Sequence, residues 1–505
     1  MTFVLDAGRV SLAAFLEAVA DEGQQIEITP AAWQVIHRAR ELVERTADSG
    51  ELVYGLNTLL GSGRNTEVQA EQLLAYQVQV VRYHASGVGS FLSKQESRSL
   101  ILARLVGLSR GGAGVHRDAV EQYLQLLNRG VHPAIPRIGS VGSSDLTQLA
   151  ALASVAIGEG EAFDDAGELI TGAQALQAVG LRPLALRPLE GLALISANSY
   201  SIGVGALLYA RLEHLAEVAD TALAVSLEAV GRYADSAGLG AYSAVIAAAK
   251  DSPGTAASSA RIRGLLRGSE LGNPERRASV QDPLSFRSAP QTHGALRRQL
   301  GQLAELLDVE LNARAENPLV DLESGSLHSG GNFQIVELAL SFESIRIALA
   351  HIGIISERRI AKLYPPQRLI RQAKLAESQG RVLPEELPGL LWYSAAALLA
   401  ELKTLAQPVT LGAPSLSADV EDHSTLAPLA LQHLQRSVEV LEQLLSIELL
   451  TAVFLLVQPG VEAGAGALGL GVIELVHRLE PLLQQKLSAA TLVDRAREEL
   501  FRRVL

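Results

Sequence analysis

The chain has no cysteine among its 505 residues. Disulfides, thiolate catalysis and cysteine-ligated metals are therefore excluded. Aromatic residues amount to only 4%, and β-branched alternation is rare, so the usual strand signal is missing. No apolar run reaches membrane-spanning length. The longest, from Leu444 to Val457, is broken by Glu448 and stops before Pro459, which reads as a buried helix rather than a span. Basic clusters are also absent and the net charge is −12, which argues against a nucleic-acid partner. The start, MTFVLDAGRV, lacks the basic and apolar regions of a signal peptide. A soluble cytoplasmic protein is expected, with neither membrane nor nucleic acid as partner.

What is present is an apolar fraction of 48%, enough for a large core at a length that would allow about two to four domains. Apolar residues recur at three- and four-residue steps over Ser201–Val230, Pro290–Glu310, Glu337–Arg358 and Leu390–Leu405, which predicts long helices. Gly61-Ser62-Gly63, Asn128–Pro136, Asp251–Gly254, Gly325–Asn332 and Pro365-Pro366 read as loop punctuation. No internal repeat is evident. The expectation is an all-α fold, with an N-terminal region of shorter helices and loops over residues 1–200 and a bundle of long helices over 201–505. Several of those helices are apolar around much of their circumference, which points to subunit packing as well as an internal core.

Polar motifs punctuate the helices in a fixed order. Val53-Tyr54-Gly55-Leu56-Asn57-Thr58 is followed by Arg82–Gly89 (RYHASGVG), Asn128–Pro136 (NRGVHPAIP), Gly139–Leu146 (GSVGSSDL) and Gly158–Ala162. Further on come Val280–Arg287 (VQDPLSFR), Glu316-Asn317-Pro318-Leu319, Gly330-Gly331-Asn332-Phe333, Ser356–Ile360 and Glu421-Asp422-His423. Taken singly, each has a plain reading. Tyr54 is a loop tyrosine, and a phenol that titrates near ~10 needs a nearby cation or hydrogen-bond donors before it can act as a base. Arg287 carries the planar fork that suits a carboxylate, but could equally be a solvated cation. His84 and Glu421 alone are ordinary polar residues. Ser144 and Asp145 precede the helical segment 146–157 and suit its N-cap.

Together and in this order, the motifs resemble the aromatic amino acid ammonia-lyase family, of histidine and phenylalanine ammonia-lyases, over nearly the whole chain. The resemblance implies a helical homotetramer whose active sites are shared between subunits, acting on a small amino acid. It implies Tyr54 as the catalytic base and Arg287 as the substrate-carboxylate clamp. His84 and Glu421 fall at the positions that handle an imidazole, and Asn57, Gln281, Asn317 and Phe333 are carried over as substrate-binding positions. Ser144 stands at the catalytic serine of the triad that, in the family, cyclises to the electrophile methylidene-imidazolone (MIO). No metal is implied.

The departures from the pattern are selective. The family's GSVGASGDL is one residue shorter here, and Asp145 stands where the triad's glycine would let two backbone segments approach. Leu284 replaces a tyrosine and Ser196 an asparagine; Leu59-Leu60 replace a Gly-Phe pair, and Gln334 stands where a histidine is common. The changes at Asp145, Ser196 and Leu284 all fall on groups that make or polarise the electrophile, so MIO is not expected to form from Ser143-Ser144-Asp145, and no other cofactor is expected. MIO works by bonding to a free amine, a form of covalent catalysis. A trimethylammonium group has no lone pair to offer and already leaves as a neutral amine. The favoured expectation is therefore a carbon–nitrogen lyase acting on a betaine of the ergothioneine type. The alternatives are a conventional histidine ammonia-lyase giving urocanate and ammonia, a member repurposed for addition or isomerisation, and a non-catalytic binding partner.

Overall fold

A computed structural model describes residues 2–233, 238–273, 279–378, 380, 387, 390–458 and 467–501. The periodic segments are helices: Ser199–Tyr233, Ala289–Leu311 and Leu391–Leu405 lie at nearly their expected bounds, whereas Val336–Glu377 runs well past the expected end at Arg358. The apolar run containing Glu448 lies in a fifth long helix, Ala427–Leu456. The fold is all-α in character, with only short strand ladders. Thr2–Leu5 pairs in parallel with Gln25–Ile28, Val88–Phe91 antiparallel with Pro136–Ile138, and Leu319–Asp321 antiparallel with Ser326–His328. A three-stranded ladder joins His132–Pro133, Glu161–Phe163 and Leu169–Thr171.

Pro365 and Pro366 do not break the chain as expected from sequence, but lie inside the helix Val336–Glu377. Each removes one N–H, which would have bonded the carbonyl four residues earlier. Those carbonyls belong to Ala361, which is half-buried, and Lys362, which is exposed. Water can therefore satisfy them, and the helix continues. The same helix contains an apolar 18-residue window, 67% of which is packed inside the protein.

The chain divides into two compact units that differ from the expected split at residue 200. The first comprises Met1–Leu208, Leu303–Phe342 and Pro408–Gln432; the second comprises Tyr209–Gln302, Glu343–Gln407 and His433–Leu505. The divisions at 208, 302, 342 and 432 fall inside long helices, which is why no linker composition marks them. In the first unit, the helix Lys94–Ser109 is buried on almost every side. Its Arg104 pairs with Glu316 at 3.2 Å and also donates to the Ala193 carbonyl, anchoring the segment that leads into Asn317. In the second unit, Glu448 is fully buried yet fully satisfied. It accepts from Ser226 Oγ at 2.7 Å, Ser356 Oγ at 2.6 Å, and Arg359 Nε and Nη2 at 2.5 and 2.8 Å.

Candidate active site

Tyr54 sits in a turn locked by its own neighbours. Asn57 Oδ1 accepts from the Val53 N–H at 2.8 Å, while Asn57 Nδ2 donates to the Glu51 carbonyl at 2.7 Å. Gly55 has φ +73°, and a Cβ there would come within 2.3 Å of Leu192 Cδ2; a side chain is excluded on both counts. The chain then folds back so that Tyr54 Oη accepts the Gly61 N–H at 3.0 Å. Ser417 Oγ accepts the next amide, that of Ser62, at 3.0 Å. Ser417, Ala418 and Asp419 adopt left-handed φ values of 54°, 51° and 61°, an unusual run for residues with side chains. Reciprocal backbone bonds between Leu416 and Glu421, at 2.9 and 3.2 Å, close this tight loop and present Glu421.

The signature loop is held from both sides. Thr425 Oγ1 donates to the Gly142 carbonyl at 3.0 Å, and the Leu426 N–H to the Val141 carbonyl at 2.8 Å. Ser143 Oγ lies 3.0 Å from Ser424 Oγ. Ser144 is buried with φ +64°. Asp145 is fully buried, and its carboxylate accepts from the Ser201 N–H at 2.8 Å and the Ser201 hydroxyl at 3.0 Å. Asp145 does occupy the N-cap position of the helix Leu146–Ala156, but makes no side-chain bond to it. The capping expected from sequence goes instead to the N-terminus of Ser199–Tyr233, whose free amides favour an anion. Burial pushes the Asp145 carboxyl up to about 7, against the opposing pull of the Ser201 donors.

This arrangement does not suit MIO. Ring closure needs the amide nitrogen of the third triad residue to attack the carbonyl of the first. The Asp145 N–H is instead committed to the Ala197 carbonyl at 2.8 Å, and its side chain is anchored to Ser201. Freeing that nitrogen would leave buried polar groups unpaired, at about 1–3 kcal/mol each. Among the described residues, no cluster of histidine and carboxylate groups could hold a metal ion.

Tyr54, Ser144, Asn317, Phe333 and Glu421 line one cavity of about 390 Å³ within the first unit, together with Ser143 and Ser196. Asn317 Oδ1 accepts from Ser329 Oγ at 3.2 Å and the Gly330 N–H at 3.1 Å. The Phe333 carbonyl accepts from Asn198 Nδ2 at 3.0 Å. The other candidate residues lie elsewhere. The Asn57 side chain is consumed by its turn. His84 ends the helix Leu73–His84, half-buried, with Nδ1 2.7 Å from the Val80 carbonyl. Arg287 and Gln281 belong to the second unit. There Arg287 Nε donates to the Asp282 carbonyl at 3.0 Å, and the Gln281 amide oxygen, in its hydrogen-bonding orientation, accepts from Arg287 Nε at 3.1 Å and Nη1 at 3.2 Å.

Two residues that sequence reasoning passed over belong to the site. Arg64 lines the cavity ten positions after Tyr54. Tyr76 interacts electrostatically with Tyr54, and its own phenol is pushed up to about 12, chiefly by burial. Burial likewise raises Tyr54 above the ordinary phenol value, and the Glu421 carboxylate adds to the rise; the Gly61 N–H and Arg64 act in the opposite direction. The cavity thus holds a phenol, a carboxylate beside it, and an aromatic ring, with a guanidinium also in its lining.

The chain belongs to the aromatic amino acid lyase family, whose sequence profile matches residues 11–462, and it is a carbon–nitrogen lyase. It is 37% identical over 464 residues to the histidine ammonia-lyase of Anaeromyxobacter sp. strain K, covering 89% of each chain. It is 35% identical over 475 residues to that of Symbiobacterium thermophilum, covering 94% of this chain and 92% of the relative. Among solved structures, it is similar to the histidine ammonia-lyase of Trypanosoma cruzi, with TM-score 0.83 at 27% identity over 99% of this chain and 93% of that one. It is also similar to the ergothioneine-degrading ergothionase of Treponema denticola, with TM-score 0.89 at 24% identity over 99% and 98%. That last likeness shows the fold alone.

Proposed function

We propose that the enzyme eliminates an amine from an imidazole-bearing amino acid without MIO, and that its preferred substrate is a trimethylammonium betaine. The observation that carries this reading is the commitment of Asp145. Its N–H and carboxylate are both bound into the fold, while Tyr54 and Glu421 stand open to the cavity. Tyr54, as phenolate, takes a β-proton onto Oη. The electron pair of the broken C–H bond becomes the Cα=Cβ π bond, and the Cα–N pair leaves with neutral trimethylamine. A permanent cation in this cavity is attracted to the Glu421 carboxylate and to the faces of Tyr54 and Phe333. It also stabilises the adjacent phenolate, so the substrate itself lowers the barrier to making the base.

Glu421 accepts the imidazole N–H in this reading, and Arg287, oriented by Gln281, holds the substrate carboxylate. Arg287 and His84 come to the site from neighbouring copies in a homotetramer. In support, residues near them in the chain are apolar and uncovered: Val280 next to Gln281, Leu284 three positions before Arg287, and Tyr83 next to His84 are 102%, 61% and 79% exposed. Such surface is ordinarily buried by a partner.

Two measurements test the reading. Intact mass is expected to equal the unmodified sequence, whereas loss of two waters from Ser143–Asp145 would restore the electrophile. Offered histidine and its trimethylated betaine side by side, the enzyme should release trimethylamine faster than ammonia. The sequence likeness to histidine ammonia-lyases favours a second reading, in which plain histidine gives urocanate and ammonia. Rapid ammonia release with no activity on the quaternary substrate would establish that second reading instead.

A further inference from the structure

A half-buried phenol such as Tyr54, raised above its ordinary value, cannot serve as a base near neutral pH unless something compensates its charge. The groups facing Tyr54 can be enumerated. From its own loop come the Gly61 N–H and Arg64; from the loop after Ser417 comes Glu421; and from the helix Leu73–His84 comes Tyr76. Tyr76 is neutral, with the Leu60 amide acting on its hydroxyl. Glu421 opposes a phenolate. The Gly61 N–H is a single dipole. Among the residues lining the cavity, Arg64 is the sole cation.

The guanidinium of Arg64 is also uncommitted. It makes no hydrogen bond or ion pair with any described residue, in contrast to Arg287, which is held by Gln281 and Asp282. Its place is set by the loop rather than by a partner. Gly61–Gly63 forms a single 3-10 turn with Arg64 as its C-cap, and the Thr66 N–H closes back on the Gly63 carbonyl at 2.8 Å. Gly61 has φ +56°, and a Cβ there would come within 2.2 Å of Ser417 Oγ. The same glycine therefore donates to the Tyr54 oxygen and starts the turn that carries Arg64 to the cavity.

We propose that Arg64 is the positioning residue that poises Tyr54, supplying from the same loop the positive charge that lets the phenol act as a base. The proposal rests on the reading of Tyr54 as the base, and assigns the charge-compensating role to a residue outside every motif of the chain. A nearby cation favours the ionised form of a neighbouring acid, so its removal raises the pH at which Tyr54 deprotonates. Activity that requires the phenolate then shifts to higher pH.

The test is the pH profile of kcat and KM for the unmodified enzyme, Arg64→Gln and Arg64→Lys, on whichever of histidine and its trimethylated betaine the enzyme turns over faster. Arg64 is exposed, so neither change disturbs a core. Arg64→Gln should move the acid limb of kcat upward by about one pH unit. That is a roughly tenfold loss below the midpoint which disappears above it, with KM little changed. Arg64→Lys should recover much of the shift. An unmoved limb would overturn the proposal. So would a large rise in KM on an unmoved limb, which would make Arg64 a carboxylate contact instead. Tyr54→Phe separates the two levels of the argument. If that variant keeps its turnover, the reading of Tyr54 as base fails; if it is inactive while the Arg64→Gln limb stays put, only the role of Arg64 falls.

Discussion

Tyr54→Phe should lower kcat by roughly 10²–10⁴-fold, the usual contribution of a positioned general base, while substrate affinity stays close to that of the unmodified enzyme. The expected split follows from where the phenol acts. A base bonds to the migrating proton only in the transition state, so its removal lowers kcat without weakening the ground-state complex. The substitution also removes the acceptor of the Gly61 N–H, a half-buried contact worth about 1 kcal/mol. The turn has independent support in the Asn57 bonds to Val53 and Glu51, so the loop should survive. Turnover is read from amine release, and binding from calorimetry on the inactive variant. A variant that binds as before and turns over as before would remove Tyr54 from the mechanism. In the unmodified enzyme, burial and Glu421 both raise the phenol. The neutral form therefore dominates near neutral pH, and activity should climb as pH rises towards the Tyr54 midpoint.

The residues that meet in the cavity show how far the sequence could be read. Positions 54, 144, 317, 333 and 421 are separated by stretches whose periodicity says only that they are helical. Spacing alone could not have gathered them; the ordered motifs could. The same motifs carried over Asn57 and Gln281, whose side chains hydrogen-bond within a turn and to Arg287. A motif marks residues that are needed near a site without separating those that touch substrate from those that hold the frame. Arg64 and Tyr76 were illegible for a different reason. An arginine in a polar loop looks like a solvated charge, and a helical tyrosine looks like packing, until the backbone brings both beside a half-buried phenol. At Asp145 the chemistry of the residue was legible but its partner was not. The chain-local choice was the helix it precedes, whereas the amides it binds belong to a helix more than fifty residues later. Pro365-Pro366 failed as a stop signal because solvent, invisible in the sequence, reaches the carbonyls they leave unpaired.

The one charge in the longest apolar run makes the second large effect. Glu448 and Arg359 are both fully buried in the second unit, and Arg359 Nη1 also donates to the Ser285 carbonyl at 3.0 Å. Such a pair contributes little net stability over a well-packed apolar replacement, but removing one partner leaves an uncompensated buried charge. Arg359→Met should therefore destabilise the fold by roughly 3–5 kcal/mol, read as a fall in the urea midpoint. Glu448→Gln in the same background removes the charge and should recover part of the loss. Ser226 and Ser356 donate to different carboxylate oxygens, so in the amide one hydroxyl can still donate to the oxygen while the other turns to accept from the NH2 group. A midpoint for Arg359→Met that is unchanged would mean that the buried carboxylate does not depend on this partner. The pair also grips the backbone two residues before Arg287, so the segment bearing the proposed carboxylate clamp should loosen with it. In Arg359→Met, amide exchange over residues 282–288 should quicken before the surrounding helices open.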